Sequence, residues 1–156
     1  EKDPVTRLVE YAWLICDSTL DDPRVALFFM RVPLDLAKVH SEAGGRGAVN
    51  LDEAHMAHLS AVISDGMRLG LLRKGTPRLA ANAYWGALIM NLTEIAVASG
   101  QAPEGKQRER LMEEVLSYCF EGLAEGARWR KVCSRLSADP AGLRKARDAL
   151  GPGAKR

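Results

Sequence analysis

The stretch that most constrains this chain runs from Leu79 to Ala98, where Glu94 is the only charged side chain. It opens at Thr76-Pro77, passes through Tyr84-Trp85-Gly86-Ala87-Leu88-Ile89-Met90-Asn91 and closes at Gly100. A helix this apolar cannot lie on a surface and must be covered on most sides. A chain of 156 residues is one domain by length and buries about 68–70% of its unfolded surface. That is enough core for one side of such a helix. The remaining cover is expected to come from a second subunit, a ligand or both.

Helix boundaries are written in capping residues. A capping residue followed by proline occurs at Asp3-Pro4, Asp22-Pro23, Thr76-Pro77 and Asp139-Pro140. The Asp or Thr oxygen can accept from a free amide of the first turn, and proline at the first helical position gives up no hydrogen bond. Asn50-Leu51-Asp52-Glu53 is a further start, with a capping residue and Glu three positions on. Stops stand at Gly44-Gly45, Gly75, Gly100 and Gly151-Pro152. These signals predict helices near 4–20, 23–41, 51–72, 77–99, 104–126 and 140–150, with a short helical turn at 128–136. Pro33 should kink or split the second. No period-two strand stands out. The fold class is therefore all-α, a single domain of about six helices over 1–156, in which 127–156 is an unassigned C-terminal extension.

Two of these helices carry small-residue faces. At 100° per residue, Gly86 shares a side with Met90, Thr93 and Val97, and Ala83 is close by, while Tyr84, Leu88, Asn91 and Ile95 fall opposite. In the next helix Val115, Cys119, Gly122 and Gly126 form a small stripe, and Leu116, Phe120 and Leu123 a bulky one. Small faces suit close helix approach. The expectation is a two-fold four-helix bundle formed through Gly86, Met90, Thr93, Val115, Cys119 and Gly122. The bulky faces then look inward. Tyr84, Leu88, Asn91 and Ile95, covered by Trp13, Phe28, Phe29, Leu59 and Ile63 from the first helices, are the candidate wall of a pocket for a mostly apolar small molecule. The Asn91 amide either orients the ligand there or is paired by an internal hydrogen bond.

Composition removes several other classes. A net charge of +2 gives no broad field for nucleic acid or an anionic membrane. The run Arg128-Trp129-Arg130-Lys131 with Arg135 is basic, and a solvated helix face accounts for it. Cys16, Cys119 and Cys133 are widely spaced, form no metal or redox motif and read as buried thiols of a cytoplasmic protein. No segment is long and apolar enough to span a bilayer, and no secretory signal is visible. The first residue is Glu1 rather than Met, so an N-terminal portion is expected to be missing. His55 and His58 lie three apart with His40 and Glu53 as possible neighbours, but two imidazoles without a defined third ligand do not close a metal site. No nucleophile–base arrangement, paired carboxylate or phosphate loop is present, so neither an enzyme nor a cofactor is expected.

Three segments together resemble the C-terminal domain of TetR-family transcriptional regulators. They are Gly66-x-x-x-Gly70-x-Leu72-Arg73, Thr76-Pro77-x-x-Ala80-Ala81-x-Ala83-x-x-Gly86 and Leu116-x-x-x-Phe120-x-Gly122-Leu123-Ala124. Leu20-Asp21-Asp22-Pro23-Arg24-Val25-Ala26-Leu27 is similar to the helix junction upstream in that family, and the likeness covers about 20–126. The resemblance implies an all-helical domain that dimerises through two C-terminal helices and encloses a small-molecule pocket. It also implies a helix-turn-helix head that binds an operator, of which this sequence has no trace. Residues 1–20 then read as the connecting helix. The expected function is ligand sensing and dimerisation in a TetR-like repressor, contacting DNA only through that missing head. Two alternatives stand beside it: a metal-dependent enzyme using His40, His55 and His58, and a helical dimer without a ligand.

Overall fold

Asp3-Pro4 begins the first helix as the capping pattern predicts. The Asp3 carboxylate accepts from the amides of Val5 (3.1 Å) and Thr6 (3.2 Å) and from the Thr6 hydroxyl (2.8 Å). The computed structural model describes residues 2–22, 24–25, 51–98 and 103–139. Within these residues the chain is all-α, with five helices and no strand: α1 (Pro4–Asp21), α2 (Leu51–Arg68), α3 (Pro77–Ala98), α4 (Gly105–Glu121) and α5 (Arg128–Ser137). The helices expected at 23–41 and 140–150, with Phe28, Phe29, Pro33 and His40, lie outside the described residues. No described helix is long and apolar enough to cross a membrane.

The apolar helix is placed as its composition demands. α3 packs on α2 at one side and α4 at another, with α1 across it. Its buried residues are Ala81, Tyr84, Leu88, Ile89 and Leu92. Ala81, Tyr84, Leu88 and Leu92 join Leu8, Ala12 and Cys16 of α1, Leu59 and Ile63 of α2, and Val115, Leu116 and Phe120 of α4 in one core. Each fully buried Leu or Phe side chain there contributes about 1.5–3 kcal/mol. At the rim, the Arg108 guanidinium of α4 donates to Asp17 Oδ1 (2.6 Å), the Asp17 carbonyl (2.8 Å) and Asp21 Oδ1 (2.8 Å), clamping α4 to α1.

The C-terminal segment departs from its expected role. Residues 128–137 form a full helix that seals the core rather than an appended extension. Trp129 stacks on Phe120 (centroids 5.6 Å apart, planes at 9°), Phe120 meets Tyr84 edge-on at 5.6 Å, and the Trp13 indole donates to Cys133 Sγ at 3.5 Å. An aromatic chain thus runs from α3 through α4 to α5.

Two helix ends also differ from expectation. α2 stops at Arg68 rather than 72. Gly70 takes φ +67°, its amide donates to the Met67 carbonyl (3.2 Å), and the Leu71 amide donates to Gly66 (2.9 Å). This pair of bonds is a Schellman closure, which needs a residue tolerant of positive φ. α4 stops at Glu121 rather than 126, and Leu123 and Ala124 turn inward. The two freed segments then pair. The Arg73 amide donates to the Leu123 carbonyl (2.9 Å) and the Glu125 amide to Leu71 (3.1 Å), around an antiparallel bridge between Leu72 and Ala124.

The pairing presses Leu72 onto Gly66. A methyl group at Gly66 would sit 2.5 Å from Leu72 Cδ1 and 2.7 Å from its Cγ. Inside an ordinary helix, Gly→Ala gains about 0.5–1 kcal/mol. Here Gly66→Ala should lose about 1–3 kcal/mol, because buried Leu72 must move out of a packed core. Urea unfolding would register this as a lower midpoint at unchanged slope.

Asp3 gives a pH signature. Burial alone raises its pKa, but the Thr6 hydrogen bonds and the Arg128 guanidinium (3.1 Å) hold it below the usual carboxylate value of 3.8. A depressed folded pKa contributes stability that is present above the unfolded value and lost as pH falls through the folded one. Asp3→Ala should therefore cost about 1 kcal/mol at neutral pH. Thermal melts should find that difference shrinking as the pH is taken below 4.

Candidate ligand site and dimer face

Among the described residues, the face of α3 left open is the small one. Leu79 (66%), Met90 (58%) and Val97 (69%) are exposed, and a side-chain carbon built on Gly86 would meet nothing within 4 Å. Leu79, Ala83, Gly86, Met90, Thr93 and Val97 follow at alternating four- and three-residue steps, so they form one stripe along the helix. It is about 27 Å long at 1.5 Å per residue. It carries no charge, and its one hydroxyl, Thr93 Oγ1, already donates to the Ile89 carbonyl (2.8 Å).

The α4 half of the expected dimer face is arranged differently. Val115 (2%) and Cys119 (4%) are buried in the core of the single chain, and Cys119 Sγ donates to the Tyr84 carbonyl at 3.8 Å. Their small volume lets α4 approach α3 within one chain. Both residues, expected at an interface between subunits, are thus buried within the single chain. Gly122 is exposed at the helix end, and one turn earlier Tyr118 is 56% exposed.

The residues predicted to line a pocket separate into two groups. Trp13, Leu59, Ile63, Tyr84 and Leu88 are core residues. The Tyr84 hydroxyl donates to the Leu8 carbonyl at 2.6 Å, and burial raises its pKa far above 10, so it stays a donor. Asn91 is half-buried, and its Nδ2 donates to Ala87 of its own helix at 2.7 Å. Ile95 is half-buried against the core.

The structure brings together a group that sequence reasoning did not assemble. Tyr11 of α1, His55 of α2 and Trp85 of α3 meet half-buried. The Tyr11 hydroxyl lies 3.0 Å from His55 Nε2. Ring centroids are 5.5 Å apart for Tyr11–His55, 4.6 Å for His55–Trp85 and 6.2 Å for Tyr11–Trp85. Burial pushes the Tyr11 phenol up, so it remains protonated at neutral pH. Along α1, Tyr11, Ile15 and Thr19 follow at four-residue spacing, and the fully buried Thr19 hydroxyl makes no hydrogen bond. Buried hydroxyls are ordinarily paired, and this one is an exception. Beside the group, Arg78 of α3 pairs in bidentate fashion with Glu53 of α2 (2.8 and 2.9 Å).

His55 is thus an aromatic-cluster residue, whereas His58 is exposed. Among the described residues no group of three or more His, Cys, Asp or Glu side chains is placed to hold a metal ion. The three thiols are all buried. Burial raises Cys16 well above its usual value, Cys119 to about 12, and Cys133 upward against the opposing Trp13 hydrogen bond. Thiols held protonated are poor nucleophiles. No family model, curated protein or solved structure matches the chain.

The thiols supply a direct check. At pH 8 a disulfide reagent should leave all three almost untouched in the native protein and titrate three per chain once urea unfolds it.

Proposed function

We propose that this chain is the ligand-sensing and dimerisation domain of a TetR-like transcriptional repressor. The observation that carries the reading is the uncovered stripe of α3. An exposed, uncharged, heptad-spaced apolar face is a cost to an isolated domain and an asset to a two-fold pair. Gly86 at its centre leaves room for a second helix, so α3 of one protomer would cross α3 of its partner. Gly122 and Tyr118 at the end of α4 would extend the bundle. This keeps the α3 half of the expected interface and replaces Val115 and Cys119 with Leu79, Ala83, Val97 and Tyr118.

The sensing half of the proposal moves from Asn91 to the Tyr11–His55–Trp85 group. Aromatic walls and a phenol–imidazole pair suit a small, mostly apolar effector with a polar substituent. Tyr11 belongs to α1, the helix that would connect to a DNA-reading head. A guest binding one placement of α1 more tightly would shift the spacing of two such heads by population shift. A ligand-free structural dimer is the second reading. It is favoured by the full burial of Tyr84 and Leu88 and by the internal bond of the Asn91 amide, which leave the originally expected wall without an opening.

Sedimentation at micromolar concentration should find a dimer, and Met90→Glu, which sets like charges against each other across the axis, should give a folded monomer. A monomeric wild type would remove the proposal. Indole and octanol, used as apolar probes, separate the two dimer readings. A bound guest at a hundredfold excess over its Kd stabilises by about 2.7 kcal/mol and should change Trp fluorescence in the wild type but less in Trp85→Phe. No shift with any apolar probe leaves the structural dimer.

A further inference from the structure

We propose that α5 carries a docking stripe for a phosphodiester backbone, duplex DNA in the regulatory reading above, on which the choice of partner rests. Arg128–Ser137 contains four cations, Arg128, Arg130, Lys131 and Arg135, and no acidic residue. Arg128, Lys131 and Arg135 are three and four residues apart and therefore share one side of the helix. The other side is fixed: Trp129 and Cys133 are buried, Trp129 by stacking on Phe120 and Cys133 by the Trp13 indole. The cations thus stand on a rigid support.

That side fronts open space. A groove of about 1070 Å³ runs between α5 and the first turn of α1, with Asp3, Thr6, Arg128, Arg130, Lys131 and Arg135 along it. The charge along it is not cancelled. Asp3 pairs with Arg128 at 3.1 Å, whereas Lys131 and Arg135 have no ion-pair partner among the described residues. Arg130 borders the groove too, but it lies over the Trp129 ring (5.4 Å) and also lines the neighbouring groove that holds Glu113 and Glu114, so it is shared between the two. In a chain of net charge +2, this is a local concentration of positive charge.

The chemistry favours a polyanion over a membrane. A helix that docks on lipid inserts apolar side chains beneath its cations, and Trp129, Val132 and Cys133 of α5 are spent in the core. A phosphate backbone needs only charge and access. The groove adjoins Asp3 and Thr6 at the start of α1. Under the regulatory reading, a duplex held by heads at that end would pass beside it.

Fluorescence anisotropy of the 156-residue protein with a 20-base-pair duplex of arbitrary sequence tests this. Binding should weaken with salt at a logarithmic slope of about −2 per chain, from two unneutralised cations. Lys131→Gln/Arg135→Gln should abolish most of the binding, with circular dichroism and sedimentation unchanged. Arg73→Gln/Lys74→Gln, which removes two exposed cations from a loop, should leave it intact. Absence of salt-dependent binding at 50 mM salt overturns the stripe. So does an equal loss in both double variants, or tighter binding to vesicles containing anionic lipid than to the duplex. The sedimentation result separates the two proposals: a dimer that ignores DNA removes only the stripe, while a monomer that binds DNA through Lys131 and Arg135 removes only the repressor-domain reading.

Discussion

Tyr84 is the side chain through which three helices are tied together. Its hydroxyl reaches across from α3 to the Leu8 carbonyl of α1 at 2.6 Å, its ring meets Phe120 of α4 edge-on, and its own carbonyl faces the Cys119 thiol. A phenol buried this deeply must find an acceptor, because an unpaired buried donor costs about 1–3 kcal/mol. That requirement fixes the rotation of α3 about its axis. Once Tyr84, Leu88 and Leu92 point inward, Leu79, Gly86, Met90 and Val97 have to point outward. The open stripe is thus a consequence of the same packing that makes the core.

The second tie is backbone pairing between the segments that leave α2 and α4. It brings Leu72 down on Gly66 and turns Leu123 and Ala124 inward, so the sequence just past α4 leads directly into α5. α5 then completes the aromatic chain from Tyr84 through Phe120 to Trp129. The exposed cations of α5 and the buried aromatic chain are two faces of one amphipathic helix. Its charge is held in place by the residues that close the core.

Half-burial distinguishes the Tyr11–His55–Trp85 group from the rest of the interior. Leu59, Ile63 and Leu88 are sealed, whereas these three rings sit where α1, α2 and α3 meet and retain some exposure. The group joins α1 to two other helices through side-chain contacts, so a change there has a mechanical route to α1. The stripe of α3 lies on a different side of the same helix. Under the proposed function, sensing and pairing therefore use adjacent sides of one apolar rod.

Much of the helical frame was legible in the sequence, because its signals are local. Asp3-Pro4 and Thr76-Pro77 start helices, and the absence of charge from Leu79 to Ala98 apart from Glu94 forces α3 into the interior. The periodicity that put Gly86, Met90 and Thr93 on one side of α3 also follows from the chain alone. What the sequence could not rank was which small-residue face meets a helix of the same chain. Val115 and Cys119 carry the same pattern as Gly86 and Met90, and only the packing of α4 against α3 in the shared core turns them inward. The ends of α2 and α4 were misread because Gly70-Leu71-Leu72 and Gly122-Leu123-Ala124 are locally compatible with helix; their pairing is a long-range backbone contact that no local signal encodes. Likewise His55 stands beside His58 in sequence but beside Tyr11 and Trp85 in space. Propensity and capping act within a few residues, whereas the choice of partner for each face is made by competition among all the surfaces the helices offer, and that competition exists only in three dimensions.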